Sequence, residues 1–159
     1  MHADKLDDID LKILDILQER GRTKRNELAE EVNLSIPSVS ERMQKMERAG
    51  VIRSYNAVVD ARKVGLEVLA FIILTTESPK YYDEIRELAL ANKDILECHT
   101  ITGEGSHLIK ARTKGTASLE NLLNELQSWP GVTNTRTSVV LSSPKECTSL
   151  PLKYYKSGL

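Results

Sequence analysis

Apolar side chains recur at helical spacing through the first third of the chain. Leu6, Ile9, Ile13, Leu14 and Leu17 step by three and four residues behind an Asp-rich start, and the pattern stops at Gly21. That predicts an amphipathic helix. Leu28, Ala29 and Val32 then share one face of a second, shorter helix whose Glu27, Glu30 and Glu31 turn to water. Ser35 is a strong N-cap, and Pro37 stands in the turn behind it, where its missing N–H costs nothing. A third helix therefore begins here, with Val39, Met43 and Met46 as its stripe and Ala49-Gly50 as its close. After Gly50 the period changes: residues 51–59 alternate well enough to predict a strand, and 61–65 read as a connector.

The rest of the chain predicts strand, helix, strand, strand, helix, strand. The strands fall at 66–76, 95–102, 107–113 and 132–141. The helices fall at 80–92, with Ile85, Leu88 and Ala89 inward, and at 118–129, with a stripe of Leu119, Leu122, Leu123, Leu126 and Trp129. That order is ferredoxin-like, so the chain is expected to be α+β: a helical unit over 1–60, a connector, a βαββαβ unit over 66–144 and a tail over 145–159. Two helices cover one face of a four-stranded sheet. Yet Val68, Leu69, Ala70, Phe71, Ile72, Ile73 and Leu74 are apolar at both parities, and Val139, Val140 and Leu141 repeat this in the last strand. The uncovered face is expected to pack on a second copy, against the alternative of one tightly packed core without a dimer.

Charge adds what hydropathy cannot. The whole chain is nearly neutral, with 22 Lys+Arg against 23 Asp+Glu. Its distribution is not: residues 1–19 hold two cations against six anions (net −4), residues 20–63 ten against six (net +4), and the remainder ten against eleven. Arg20, Arg22, Lys24 and Arg25 precede the second helix, Arg42, Lys45 and Arg48 lie on the third, and Arg53 follows it. The second and third helices, about 25–44, thus have the pattern of a helix-turn-helix whose second helix enters a DNA groove. Short polar residues at its start suit base edges, and cations further along suit phosphates. The expected DNA-contacting residues are Arg25, Ser35, Pro37, Ser38, Ser40, Glu41, Arg42, Lys45 and Arg53. Helical spacing alone fits an ordinary two-helix corner with a solvated face equally well. A sparse positive patch also implies modest affinity per subunit and binding as a dimer or larger assembly.

Other chemistry finds little purchase. Glu97, Cys98, His99, Glu104 and His107 gather from two adjacent strands and their turn, but neighbours such as Cys98 and His99 face opposite sides of a strand and make poor joint ligands. No metal site, cofactor or catalytic set is therefore expected, and the sequence offers no phosphate loop or nucleophile–base pair. Cys98 and Cys147 stand apart and read as reduced thiols. The longest apolar run is too short to span a bilayer, and the acidic start at 1–4 lacks a secretory core, so the cytoplasm is the expected compartment.

Several short motifs now fall into one order: Leu6-Asp7-Asp8-Ile9-Asp10-Leu11-Lys12-Ile13-Leu14, then Gly21-Arg22, Glu27-Leu28-Ala29 and Leu34-Ser35. Arg42 to Ile52 follows as R-x-x-x-x-E-x-x-G-V-I, and the second half adds Glu97-Cys98-His99, Thr102-Gly103, Leu108-Ile109-Lys110, Gly131-Val132, Thr135-Arg136-Thr137 and Lys145. Along nearly its whole length the chain resembles the Lrp/AsnC (feast/famine) transcription regulators. The resemblance implies a winged helix-turn-helix joined to a RAM/ACT-like ferredoxin-like domain. It also implies a sequence-specific regulator of double-stranded DNA that forms dimers, commonly octamers of four dimers, and answers to an amino acid or related small metabolite. The competing reading is a metabolite-sensing module that acts through protein partners without DNA.

Two departures from the family pattern bear on function. The family's G-D-aromatic-D-aromatic loop, which the resemblance places at the effector pocket between dimers, is here Gly103-Glu104-Gly105-Ser106-His107. With Thr135, Thr137 and Ser138 these residues form the expected ligand site, and loss of the second acid predicts a preference different from the family's usual amino acids. The alternative is a loop that serves assembly only. Lys24 also stands where the family often has a capping Ser, which leaves Thr23 or Asn26 to cap the second helix.

Overall fold

Asp7 opens helix α1 (Asp8–Glu19) with a reciprocal cap: its carboxylate accepts from Asp10 N–H at 2.8 Å, and the Asp10 carboxylate accepts from Asp7 N–H at 3.2 Å. The computed structural model describes residues 5–155, so the acidic stretch 1–4, on which the compartment reading rests, lies outside the described residues. Helix α2 (Arg25–Val32) ends at Asn33, whose φ of 54° supplies the left-handed turn into α3 (Ile36–Arg48). Ser35 caps α3 as expected, accepting from Ser38 N–H at 3.3 Å. The start of α2 differs from expectation. Lys24 is its N-cap and makes no side-chain bond, Thr23 donates its hydroxyl to Arg20 O at 2.6 Å, and Asn26 lies inside the helix.

The three helices close over Ile13, Leu28, Val39, Met43 and Met46, all buried. Leu152 packs on this same core, and Gln18 of α1 both donates to Leu150 O (3.2 Å) and accepts from Leu150 N–H (2.6 Å). Residues 145–155 therefore fold with the helical unit, which also holds residues 5–58. The strand expected over 51–59 is absent: this stretch joins no ladder among the described residues. Alternation alone makes no strand without a partner edge. The stretch is anchored to α3 by Val51 and Ile52 N–H donating to Met46 O at 2.9 and 3.2 Å, and by the Tyr55 hydroxyl donating to Glu47 at 2.8 Å.

Residues 59–144 form the second unit. Its elements run β1 (Val68–Thr76), α4 (Tyr82–Ala91), β2 (Ile95–Thr100), β3 (His107–Thr113), α5 (Thr116–Ser128) and β4 (Val132–Val139). The sheet is antiparallel in the order β2-β3-β1-β4, the ferredoxin-like arrangement; β3 has its expected bounds, β1, α4, β2 and β4 are two or three residues shorter than expected, and α5 begins two residues earlier. Ala70, Ile72 and Leu74 of β1 point under α4 and α5, where Ile85, Ala89, Ile109, Leu119, Leu122, Leu126 and Trp129 complete the core. Odd residues of β1 face the other way. That open face is narrower in its apolar content than the run of residues implied: Phe71, Ile73 and Leu108 make a stripe, Leu69 is already buried, and Lys110, Arg112 and Arg136 flank it.

Trp129 is the one tryptophan of the chain and is buried in this second core, so its fluorescence reports on this unit alone. Leu126→Ala opens a cavity at a fully enclosed site and is expected to cost about 2–5 kcal/mol. Urea titration followed by Trp129 emission measures it.

Candidate nucleic-acid interface and effector site

Helix α3 presents Val39, Met43 and Met46 inward, so the residues half a turn away meet solvent. Pro37, Glu41, Lys45 and Arg48 are exposed there, as is Gln44, which lies at i+7 from Pro37 and i+3 from Glu41. Sequence reasoning omitted Gln44, although the same spacing that placed Glu41 would have found it. A carboxamide on such a face can bond an adenine edge with both its donor and its acceptor. Ser35 and Ser38 share a hydrogen bond of 2.8 Å between their hydroxyls at the start of the helix, and Ser40 is half-buried. Arg25 and Arg53 are exposed on either side. Arg20 pairs with Glu31 at 3.4 Å.

Arg42 stands apart from this exposed face. It lies at i+3 from Val39 and i−4 from Met46, at the border of the buried stripe, and is half-buried. From there its Nη1 donates to Asp7 at 2.7 Å and to Asp10 at 2.8 Å, the two carboxylates that cap α1. Their paired negative charge holds the guanidinium above its usual range. The Asp10 N–H, together with Arg42, holds the Asp7 carboxyl below its own. Arg42 thus ties α3 to the first turn of α1.

The turn between β2 and β3 lies on the end of β1. Gly105 has a φ of +86°, and a Cβ there would run into Ile73 Cγ2 and sit 2.9 Å from Leu74 O, so only glycine fits. Ser106 follows, buried, its N–H donating to Leu74 O at 2.7 Å and its hydroxyl to the same oxygen at 3.1 Å. His107, 2% exposed, is bonded through Nδ1 to Ser106 Oγ at 3.0 Å. Glu104 remains at the surface in a two-pronged pair with Arg136, Nη2 to Oε2 at 2.7 Å. The pairing register separates the rest of the expected ligand set. Thr135 and Thr137 stand opposite Leu74 and Ile72 on the helix side, where Gln127 donates to Thr135 Oγ1 at 3.0 Å. Arg136 and Ser138 stand opposite Ile73 and Phe71 on the open face. Gly103, Glu104 and Ser138 are thus outward, while Ser106, His107, Thr135 and Thr137 face inward. Arg136, missed from sequence, has no local signal; only the register shows that it reaches Glu104.

Glu97 pairs with His99 (3.2 Å) and Lys110 (3.1 Å), and both lower its carboxyl. Among the described residues no three His, Cys, Asp or Glu side chains gather as a metal site, and no helix is long and apolar enough to cross a membrane.

The two units match two family models, a winged helix-turn-helix DNA-binding domain over residues 6–53 and the Lrp/AsnC ligand-binding domain over 68–150. An HTH-type transcriptional regulator of Pyrococcus horikoshii is 36% identical over 148 residues, covering 93% of this chain and 97% of that one. The leucine-responsive regulatory protein of Escherichia coli is 33% identical over 151 residues, covering 93% and 92%. Among solved structures, a transcriptional regulator of Neisseria meningitidis in complex with L-Met superposes with a TM-score of 0.87 at 34% identity, covering 92% of this chain and 97% of that one.

If Arg42 ties helices together, Arg42→Met should lower the stability of the helical unit by about 1 kcal/mol at neutral pH. The Asp7 carboxyl titrates lower in the folded than in the unfolded chain. Its contribution is therefore complete above the ordinary carboxylate range and is lost as pH falls through that range. Asp7→Asn keeps the cap but removes the charge. Both variants should differ from the parent at pH 7 and converge with it only once the pH has fallen through the lowered titration of the Asp7 carboxyl, as followed by circular dichroism in urea.

Proposed function

Belonging to the Lrp/AsnC family of transcription regulators, the chain is a DNA-binding regulator with an effector-binding domain and not an enzyme, and from that premise we propose how its residues share the work. The outer face of α3 enters the major groove, with Pro37, Ser38, Glu41 and Gln44 toward base edges and Lys45 and Arg48 toward phosphates. Ser35, Ser40, Arg25 and Arg53 flank this surface and serve register. Arg42 acts indirectly, by fixing α3 against α1. The observation that carries this reading is the capped, exposed face of α3 with cations along its second half.

The open face of the sheet joins two copies through Phe71, Ile73 and Leu108, and four such dimers form an octamer that works in the cytoplasm. Phe71 is 36% exposed on a single chain, which a partner sheet would cover. The effector is an amino acid or related metabolite at the 103–107 turn. There the Glu104–Arg136 pair offers an anion for an ammonium and a cation for a carboxylate. Because Ser106 stands buried where the family has a second acid, aliphatic amino acids are bound weakly.

Titrations on the protein's own upstream region should show preference over random duplex at physiological salt, and equal affinity for both overturns the specific-regulator reading. Lys45→Ala and Arg48→Ala should each flatten the slope of log affinity against log salt by about one unit, whereas Arg42→Met should weaken binding and leave the slope unchanged. Phe71→Asp places a charge in the sheet interface and should yield monomers or unfolded chain in light scattering. Calorimetry with leucine should show no micromolar binding; such binding would refute the altered preference.

A further inference from the structure

A cleft of about 380 Å³ opens between α4 and β2, on the helix side of the sheet and away from the Glu104–Arg136 pair. It exists because β2 is an edge strand: α4 covers its inner face only in part, and no further strand lies beyond. Its volume is in the range of small-ligand sites. Ala89, Leu90, Ile95 and Leu96 give it an apolar wall, Arg86 and Asp83 stand at the rim, and Cys98, Thr100 and His107 line its inner side. Leu90 is 80% exposed, an unusual setting for a leucine on an otherwise well-packed helix.

His107 makes this cleft more than a surface depression. The Ser106 hydroxyl has one proton and gives it to Leu74 O, so toward His107 it can only accept, and the imidazole proton must sit on Nδ1. Nε2 then carries a lone pair. It has no hydrogen-bond partner among the described residues. No side-chain nitrogen or oxygen among them is both fully enclosed and orphaned, so Nε2 opens onto the cleft that the ring lines. Tyr82 meets the imidazole edge-on at 4.6 Å between centroids and holds its orientation. Burial keeps the ring in its neutral form by lowering its pKa.

We propose that this cleft is a second small-molecule site, separate from the effector turn, for a small carboxylic acid with a short apolar body and one O–H or N–H donor. The donor bonds His107 Nε2, the apolar body lies on Leu90, Ile95 and Leu96, and the carboxylate meets Arg86 at the rim. Arg86 now pairs with Asp83 at 3.1 Å, an exposed i,i+3 contact that costs little to exchange. A ligand with only acceptors in that position is rejected, because two lone pairs would face each other. The proposal does not rest on the turn at 103–107 binding anything.

Cys98 reports occupancy from inside the cleft. It is half-buried there, and Cys147→Ser leaves it the only thiol of the chain. The test is the rate of Cys98 alkylation by N-ethylmaleimide in the Cys147→Ser protein, with millimolar proteinogenic amino acids, their 2-hydroxy counterparts and their acceptor-only 2-oxo counterparts as probes. At least one amino or hydroxy acid should slow the reaction several-fold while its 2-oxo counterpart does not. His107→Phe keeps a ring against Tyr82 but removes the acceptor and should abolish protection. Leu90→Trp changes an exposed residue, spares the core, fills the cleft and should abolish it as well. Arg136→Met should leave protection intact, which separates this site from the effector turn. The proposal is overturned if no probe protects Cys98, if protection survives both His107→Phe and Leu90→Trp, or if alkylation slows with protein concentration alone, which would mean that a second copy covers the cleft.

Discussion

Strand β1 lies between two antiparallel neighbours with its even side chains under the helices, and that one parity decides what every other residue of the second unit can do. Side chains alternate across a strand, so once Ala70, Ile72 and Leu74 are committed to the core, each residue opposite them is committed too. Ile109 and Ala111 go in with them, as do Thr135 and Thr137. Arg136, Ser138, Lys110 and Leu108 are sent to the open face by the same rule. The two surfaces proposed for ligands, the Glu104–Arg136 pair outside and the His107 cleft inside, are therefore products of a single register. A slip by one residue would exchange them.

The turn at 103–107 is held to that register by a contact that admits no side chain. Gly105 lets the turn lie directly on Ile73 and Leu74, and Ser106 then donates twice to the carbonyl of Leu74. Both the backbone and the hydroxyl of Ser106 are consumed in this. What remains exposed at the turn is the one charged pair at the surface, whose partners lie 32 positions apart in the chain. This is a different polar environment from a loop carrying two acids, and it follows from the packing of one glycine and one serine.

In the helical unit the corresponding constraint is electrostatic. Asp7 and Asp10 cap α1 and also receive Arg42 from α3, so the same carboxylates satisfy backbone N–H groups and fix the angle between two helices. The C-terminal stretch adds a further tie, with Leu152 against the core and Gln18 gripping Leu150. The reading helix is thus braced from its inner border, which leaves Pro37, Glu41, Gln44, Lys45 and Arg48 outward. Cations on one helix divide by position: Arg42 at the border of the apolar stripe serves the fold, and those half a turn away stay exposed.

The sequence by itself determined the elements, their order and the family, because periodicity, caps and turn residues are local and each is written within a few positions. Ser35 and Pro37 announced α3, and the stripes of α1 and α5 named their own inward residues. Residues 51–59 show where local pattern stops, since a strand needs a partner edge that alternation cannot supply. Arg42 and Arg136 show it again, as both find carboxylates more than thirty positions away, and only the packing of α3 on α1 and the pairing of β4 with β1 bring them together. The tertiary structure alone decided which parity of an all-apolar strand is core. With both parities apolar, the free energy of burial does not distinguish the two faces until the helices settle on one of them.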